Sequence, residues 1–198
     1  MKFPSRTIEQ MIEILSSLPT IGRKSALRLT LFLLRQPEEF IHKFAETLIK
    51  LKTNVKLCSV CYNFTETDPC PICSSEERQK DLICVVEQPD DVLAIEKTNE
   101  YKGVYHVLHG TINHIDGISV SKLKINELIA RAENAKEIIF ALNPSLEGEV
   151  TTNYIVNQLK NSPVRLTRIA RGIPAGLELQ FADDATLLNA IENRTEIK

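Results

Sequence analysis

The sequence lacks what would place it in a membrane or send it out of the cell. No apolar run approaches the ~20 residues of a spanning helix, and the N-terminal MKFPSRTIEQ has no apolar secretory core. Internal repeats and low-complexity tracts are absent too. Net charge is scarce: 24 Lys and Arg against 26 Asp and Glu leave −2, which over the whole chain argues against a general polyanion binder. What is present is ordinary for a globular protein, with 43% apolar and 25% charged residues among 198. That composition excludes a disordered chain, a fibre and a disulfide-dense miniature, and the length suits one or two domains of roughly 100–200 residues each. A cytoplasmic location is expected.

The near-neutral total hides an asymmetry. Residues 1–57 carry ten Lys or Arg and five Glu, a charge of +5, while the remainder carries fourteen bases against twenty-one acids, a charge of −7. A basic first third joined to an acidic remainder suggests separate electrostatic tasks.

The basic third reads as helical. Ile8, Met11, Ile12 and Leu15 form one stripe at helical spacing, with Thr7 as the expected N-cap. Pro19 and Gly22 mark a tight turn, and a second helix is expected over Ser25–Leu34. A third is expected from Pro37 or Glu38 to Lys52, with Phe40, Phe44, Leu48 and Leu51 facing inward.

Beyond residue 80 the pattern alternates. Strands are expected over Leu82–Glu87, Gly103–Leu108, Glu137–Leu142 and Val164–Ala170. Helices are expected after Pro89, over Val120–Ala135 and from the loop Asn143–Gly148 to about Lys160. Such alternation implies an α/β fold with a parallel sheet covered on both faces. An edge strand over Glu178–Ala182 and a helix over Ala185–Asn193, capped by Asp184, complete the expectation.

Residues 53–80 are poor in long apolar runs and hold four of the five cysteines. Cys58-Ser-Val-Cys61 and Cys70-Pro-Ile-Cys73 are two C-x2-C turns separated by eight residues. Each turn aims two thiolates at one point, so together they give the four tetrahedral sulfurs that Zn²⁺ prefers. A redox pair needs only one such turn, and nothing else here suggests the electron transfer of an iron–sulfur cluster. Four sulfurs leave no open position, so one structural zinc per chain is expected to fold the segment rather than catalyse. Cys84 reads as a small buried strand residue.

Leu18-Pro-Thr-Ile-Gly22 resembles the helix-hairpin-helix motif, with Thr20 where the motif has its first glycine. Backbone N–H groups opening the second helix can bind a phosphate, and Arg23, Lys24 and Arg28 can neutralise its neighbours. The alternative is an ordinary packing turn between helices. Gly22-Arg-Lys-Ser25 is not a nucleotide P-loop, because Arg23 separates glycine from lysine.

Glu87 ends one strand, and Asn143-Pro-Ser-Leu-Glu-Gly-Glu149 follows another. Both lie at the carboxyl edge of the expected sheet, where open α/β sheets place their sites. The arrangement resembles the Toprim domain of topoisomerases and bacterial primases, in which one Glu and an Asp-x-Asp hold Mg²⁺. Here Asn143 and Ser145 replace both aspartates, while Glu147 and Glu149 remain. Mg²⁺ affinity is therefore expected to be weak at Glu87, Glu147 and Glu149, leaving these acids solvated or facing a basic partner.

The order of parts is similar to that of the bacterial RecR family of recombination mediators. The match runs through Leu18–Arg28, Cys58–Cys73 with Cys84-Val-Val-Glu87, Asn143–Glu149, and Arg171–Gly176 leading into Glu178–Leu187. The resemblance implies a helix-hairpin-helix domain over 1–53, a four-cysteine (C4) zinc finger over 54–80, a Toprim domain over 81–176 and a C-terminal strand and helix over 177–198. It also implies a non-enzymatic protein of DNA repair that binds double- and single-stranded DNA and works with RecO and RecF to load RecA. A tetrameric ring, DNA contact by Lys24 and Arg28, and RecO contact near Glu147 and Glu149 come with it. Asp183 and Asp184 fall in a segment likened to a Walker B strand, which without a Walker A loop implies no ATPase. The competing reading is a Mg²⁺-dependent nuclease, primase or topoisomerase using Glu87, Glu147 and Glu149.

Overall fold

The computed structural model describes residues 4–194 and 196; Lys2 and Lys198, counted in the charges above, lie outside them. The chain divides into two compact units at Val55 and Lys56.

The first unit is helical: α1 (Arg6–Ser16), α2 (Arg23–Leu34) and α3 (Glu38–Asn54). Ser5, not Thr7, caps α1, its hydroxyl accepting the Ile8 N–H at 3.5 Å. The apolar stripe marks the face that is buried, not the residue at which the turns begin. α1 and α2 pack through Ile12, Ala26 and Thr30, all buried; the Thr30 hydroxyl is satisfied by the Ala26 carbonyl at 2.9 Å.

The third helix departs from expectation. Phe40, Phe44, Leu48 and Leu51 are all exposed, and α3 has no buried residue. Three helices of this length bury little surface among themselves. Phe40 and Phe44 stack on each other at 6.4 Å, and Ile41, Phe44 and Leu48 line a groove of about 570 Å³ with Ile8, Met11 and Leu33.

The second unit opens with a two-stranded antiparallel ribbon, β1 (Lys56–Leu57) and β2 (Phe64–Thr65), and the single turn α4 (Pro71–Ser74). There follow β3 (Gln79–Val86), α5 (Pro89–Glu96), β4 (Gly103–Val107), a 3-10 turn (Val120–Lys122), α6 (Ile125–Ala132), β5 (Glu137–Phe140), α7 (Leu146–Gln158) and β6 (Arg165–Arg168). A 3-10 turn (Leu179–Phe181) and α8 (Asp184–Glu192) end the described chain. The four long strands form a parallel sheet in the order β4-β3-β5-β6. Ile83, Val85, Ile138 and Phe140 pack on one face with Leu128 of α6 and Ile155 of α7. Cys84, Val86, Tyr105 and Val107 pack on the other with Val92 of α5. Cys84 is thus the buried strand residue expected, its thiol pushed up to about 12 by burial and then by the Asp91 charge.

Three local departures have physical reasons. The helix expected over Val120–Ala135 breaks because the Lys124 N–H donates to the Leu108 carbonyl at 3.1 Å, which takes that amide out of a helical ladder. Glu178–Ala182 is not a strand: no described strand lies beside it, and it closes a 3-10 turn instead. Asp183, rather than Asp184, caps the last helix, its carboxylate accepting the Thr186 N–H at 2.9 Å and the Thr186 hydroxyl at 2.7 Å.

Candidate functional site

The four clustered cysteines converge. Their sulfurs all lie within 4.8 Å of one another, and Cys61 and Cys70 Sγ are 3.6 Å apart. A tetrahedral zinc with Zn–S bonds of about 2.3 Å requires sulfurs about 3.8 Å apart. The donor set therefore fits a single zinc ion held by Cys58, Cys61, Cys70 and Cys73. The ribbon and α4 carry the two turns. The N–H groups of Val60 and Cys70 donate to Cys58 Sγ at 3.5 and 3.3 Å, and Ser59 N–H donates to Asp68 at 2.8 Å. Burial pushes the Cys58 thiol up, but the N–H groups of Cys70, Cys61 and Val60 outweigh it and hold the group at about 7. When bound, zinc supplies a cross-link between the two turns and, with no open position, no catalysis.

The zinc segment lies against the outer edge of β4. Val107 N–H donates to the Cys61 carbonyl at 2.8 Å, and His109 Nε2 donates to the Tyr62 carbonyl at 2.6 Å. The Tyr62 ring meets His106 edge-on at 5.3 Å, with Lys124 Nζ 4.9 Å from the ring centroid. His106 is fully buried; its Nε2 donates to the Lys124 carbonyl at 2.6 Å and its Nδ1 accepts from Arg131 at 2.9 Å. Farther along the same edge, Arg78 donates to the Gly103 carbonyl and pairs with Glu96 at 2.5 Å. Tyr105 donates to Glu96 at 2.6 Å. Sequence reasoning missed Tyr62, Arg78, His106, His109 and Arg131. No motif spacing marks them, because their partners are backbone carbonyls and strand-edge groups distant in sequence.

At the carboxyl edge of the sheet, the glutamates are already engaged. Glu87 accepts the Asn143 N–H at 2.7 Å and the Asn143 side-chain amide at 2.9 Å. Ser145, standing where the Toprim pattern has its second aspartate, caps α7 by accepting the Gly148 N–H at 3.0 Å. Gly148 is obligatory here, since a Cβ would lie 2.1 Å from the Asn143 carbonyl oxygen. Burial opposes the charge of Glu149, but Arg171 and Arg168 prevail and hold its carboxyl below the usual range. Glu147 is half-buried, and its backbone carbonyl accepts the Thr151 hydroxyl at 2.7 Å. Among the described residues, the cysteines form a metal-holding cluster and Glu87, Glu147 and Glu149 do not.

The hairpin of the first unit is formed by Thr20, Ile21 and Gly22. Thr20 takes the left-handed backbone, φ +65°, that the motif normally gives to glycine. Gly22 is the N-cap of α2 and contributes no side-chain cap, so the first-turn amides face outward without one. Arg23 is engaged by Glu9 at 2.5 Å. Lys24 and Arg28 are exposed one helical turn apart and make no ion pair with another described residue.

A helical hairpin unit, a four-cysteine zinc site and a parallel sheet with a Toprim-like carboxyl edge define a multi-module class of protein. Family models match throughout: RecR helix-hairpin-helix over 8–52, the RecR four-cysteine zinc finger domain over 55–75, Toprim domain over 81–170 and RecR C-terminal over 172–195. The chain is 50% identical over 198 residues to a protein of Clostridium perfringens named Recombination protein RecR, covering all of both chains. It is 49% identical over 205 residues to one of the same name from Chloroherpeton thalassium, again covering all of both. The chain belongs to the RecR family. Neither relative carries the name of an enzyme. No described helix is long and apolar enough to cross a membrane.

Proposed function

We propose that the protein is a DNA-binding recombination mediator of the cytoplasm that acts with RecO and RecF to help load RecA on gapped or single-stranded DNA. The carrying observation is the start of α2, where uncapped amides stand beside the uncommitted cations Lys24 and Arg28. That combination suits phosphate contact, with Arg23 contributing through a charge partly met by Glu9. Duplex and single strands both present the backbone that this surface would read. Glu87, Glu147 and Glu149 are the acids offered to a basic partner, the charge of Glu149 partly met by Arg168 and Arg171, with any Mg²⁺ weakly held. Glu147 is half-buried beside Leu146, whose side chain is 75% exposed, a pairing of charge and apolar surface that suits protein contact.

Assembly into a ring of four copies, with modules over 1–53, 54–80, 81–176 and 177–198, belongs to the same proposal. Its support is apolar surface left open: the faces of α3 and the alternating Leu177, Leu179 and Phe181. The test is a salt titration of DNA binding. Removing one cation from a phosphate should reduce the slope of log affinity against log salt by about 1. Lys24→Ala with Arg28→Ala should therefore weaken binding to every sequence and flatten the slope by about 2. Identical binding by the wild type and the double variant at two salt concentrations would remove these residues from the interface.

A further inference from the structure

The geometry points to Arg131 as the counter-charge of the zinc centre, a positioning residue that ties metal occupancy to the outer edge of β4. Arg131 projects from the last turn of α6 and is half-buried. Its guanidinium donates to the Tyr105 carbonyl at 2.8 Å and to His106 Nδ1 at 2.9 Å, and both partners are uncharged. His106 stays neutral because burial, and then the Arg131 charge itself, bring its pKa down to about 3.

A buried guanidinium normally finds a carboxylate. Among the described residues none lies within ion-pair distance of Arg131. The acid one turn earlier on the same helix, Glu127, is taken by Lys124 at 2.8 Å. What Arg131 does share is a cavity with the second cysteine turn. A cavity of about 160 Å³ is lined by Arg131 together with Cys73, Val60, Lys80 and Asn134. Burial pulls the guanidinium pKa down.

The charges explain the arrangement. Zn²⁺ with four thiolates carries a net charge of −2, which is costly in a protein interior without a nearby cation. A half-buried guanidinium with only neutral acceptors is costly for the opposite reason. Placed together, each offsets the other. Lys80, whose Nζ donates to the Cys73 and Ser75 carbonyls at 2.5 Å each, fixes the backbone of the second cysteine turn from the solvent side. Arg131 stands across the shared cavity from that turn, and through the Tyr105 carbonyl and His106 it holds β4. Partners outside the ligand shell commonly change metal affinity by about 10–100-fold when removed.

The test separates charge from hydrogen bonding in the full-length chain. Arg131→Gln keeps a donor for the Tyr105 carbonyl without the charge, and Arg131→Lys keeps the charge without the planar fork. Zinc affinity is measured by competition with a chelator at fixed pH, alongside the sulfur-to-metal charge-transfer band of Co²⁺-substituted protein. Arg131→Gln should lose about 10–100-fold in zinc affinity and shift that band, while Arg131→Lys stays within about fivefold of wild type with its band unmoved. Arg78→Gln, which removes a donor from the same strand edge beside Glu96 rather than beside the thiolates, should leave zinc affinity unchanged. Two results overturn the assignment: Arg131→Gln binding zinc within twofold of wild type, or Arg131→Lys losing as much as Arg131→Gln. Should Arg131→Gln fail to fold, Arg131→Lys still decides, because a tenfold loss with the charge retained is incompatible with a counter-charge role.

Discussion

Asn143 holds Glu87 with two hydrogen bonds, one from its backbone N–H at 2.7 Å and one from its side-chain amide at 2.9 Å. Both carboxylate oxygens of Glu87 are thereby occupied by the residue that stands where the Toprim pattern would place an aspartate. An amide donor does here what a divalent cation does in the metal-dependent relatives of the domain. It neutralises nothing, but it orients the carboxylate.

Asn143→Asp should reverse that relationship. Two carboxylates would then face each other, costing about 1–3 kcal/mol in the absence of metal. Millimolar Mg²⁺ or Mn²⁺ should recover part of the loss. Thermal melts with and without metal check this: a metal-dependent rise in Tm for Asn143→Asp and none for wild type is the expected pair of results.

Thr20 sits at φ +65°, a conformation in which a β-branched residue is strained. Thr20→Gly should relieve about 1 kcal/mol of that strain, partly offset by the greater freedom of glycine in the unfolded chain. The net expectation is a modest gain in stability with DNA affinity kept, read from denaturant midpoints and the salt titration described above. A loss of stability would show that Thr20 makes compensating contacts.

His106 gives stability a pH dependence of definite sign. Its folded pKa, about 3, lies below the ordinary value of 6.5. Below 6.5 the unfolded chain takes up a proton that the folded chain refuses. Stability is therefore full above about 6.5 and falls with decreasing pH, at up to about 1.4 kcal/mol per unit, until pH nears 3. The groups facing the imidazole are Arg131, the Lys124 carbonyl, Tyr62, Glu127 and His109. Urea denaturation between pH 7.5 and 5 measures the slope, and His106→Gln should flatten it.

The carboxyl-terminal segment offers a test of assembly. Leu177, Leu179 and Phe181 alternate in sequence and are 39, 65 and 70% exposed, while the outer edge of β6 has no described strand beside it. Leu179→Asp with Phe181→Asp should lower the mass seen by light scattering at micromolar concentration. An unchanged mass would take this segment out of the proposed assembly.

The same segment shows where sequence reading succeeds and where it stops. The alternation of Leu177, Leu179 and Phe181 is a sound strand signal, but a strand exists only by pairing, and one chain supplies no partner. α3 presents the helical version of this limit. Its periodicity located the helix to within two residues at the C-terminal end, yet Phe40 and Phe44 remain exposed because a pattern names a face and not what covers it. The cysteine spacing was legible in full, since C-x2-C geometry is local. Arg131 and His106 were not, because their roles arise from contacts between α6, β4 and the zinc turns, far apart in sequence.

The outer edge of β4 also bears on how the protein fails. An edge strand ordinarily offers free N–H and C=O groups to any other chain. Here Arg78 meets the Gly103 carbonyl, Arg131 the Tyr105 carbonyl and Cys61 the Val107 N–H, and all five residues of the strand are buried. The zinc turns, with Arg78 and Arg131, thus act as a guard on a surface prone to self-association. Oxidation or chelation at the cysteines would unmask that edge on an otherwise folded sheet, so loss of the metal should announce itself as turbidity before it is visible as unfolding.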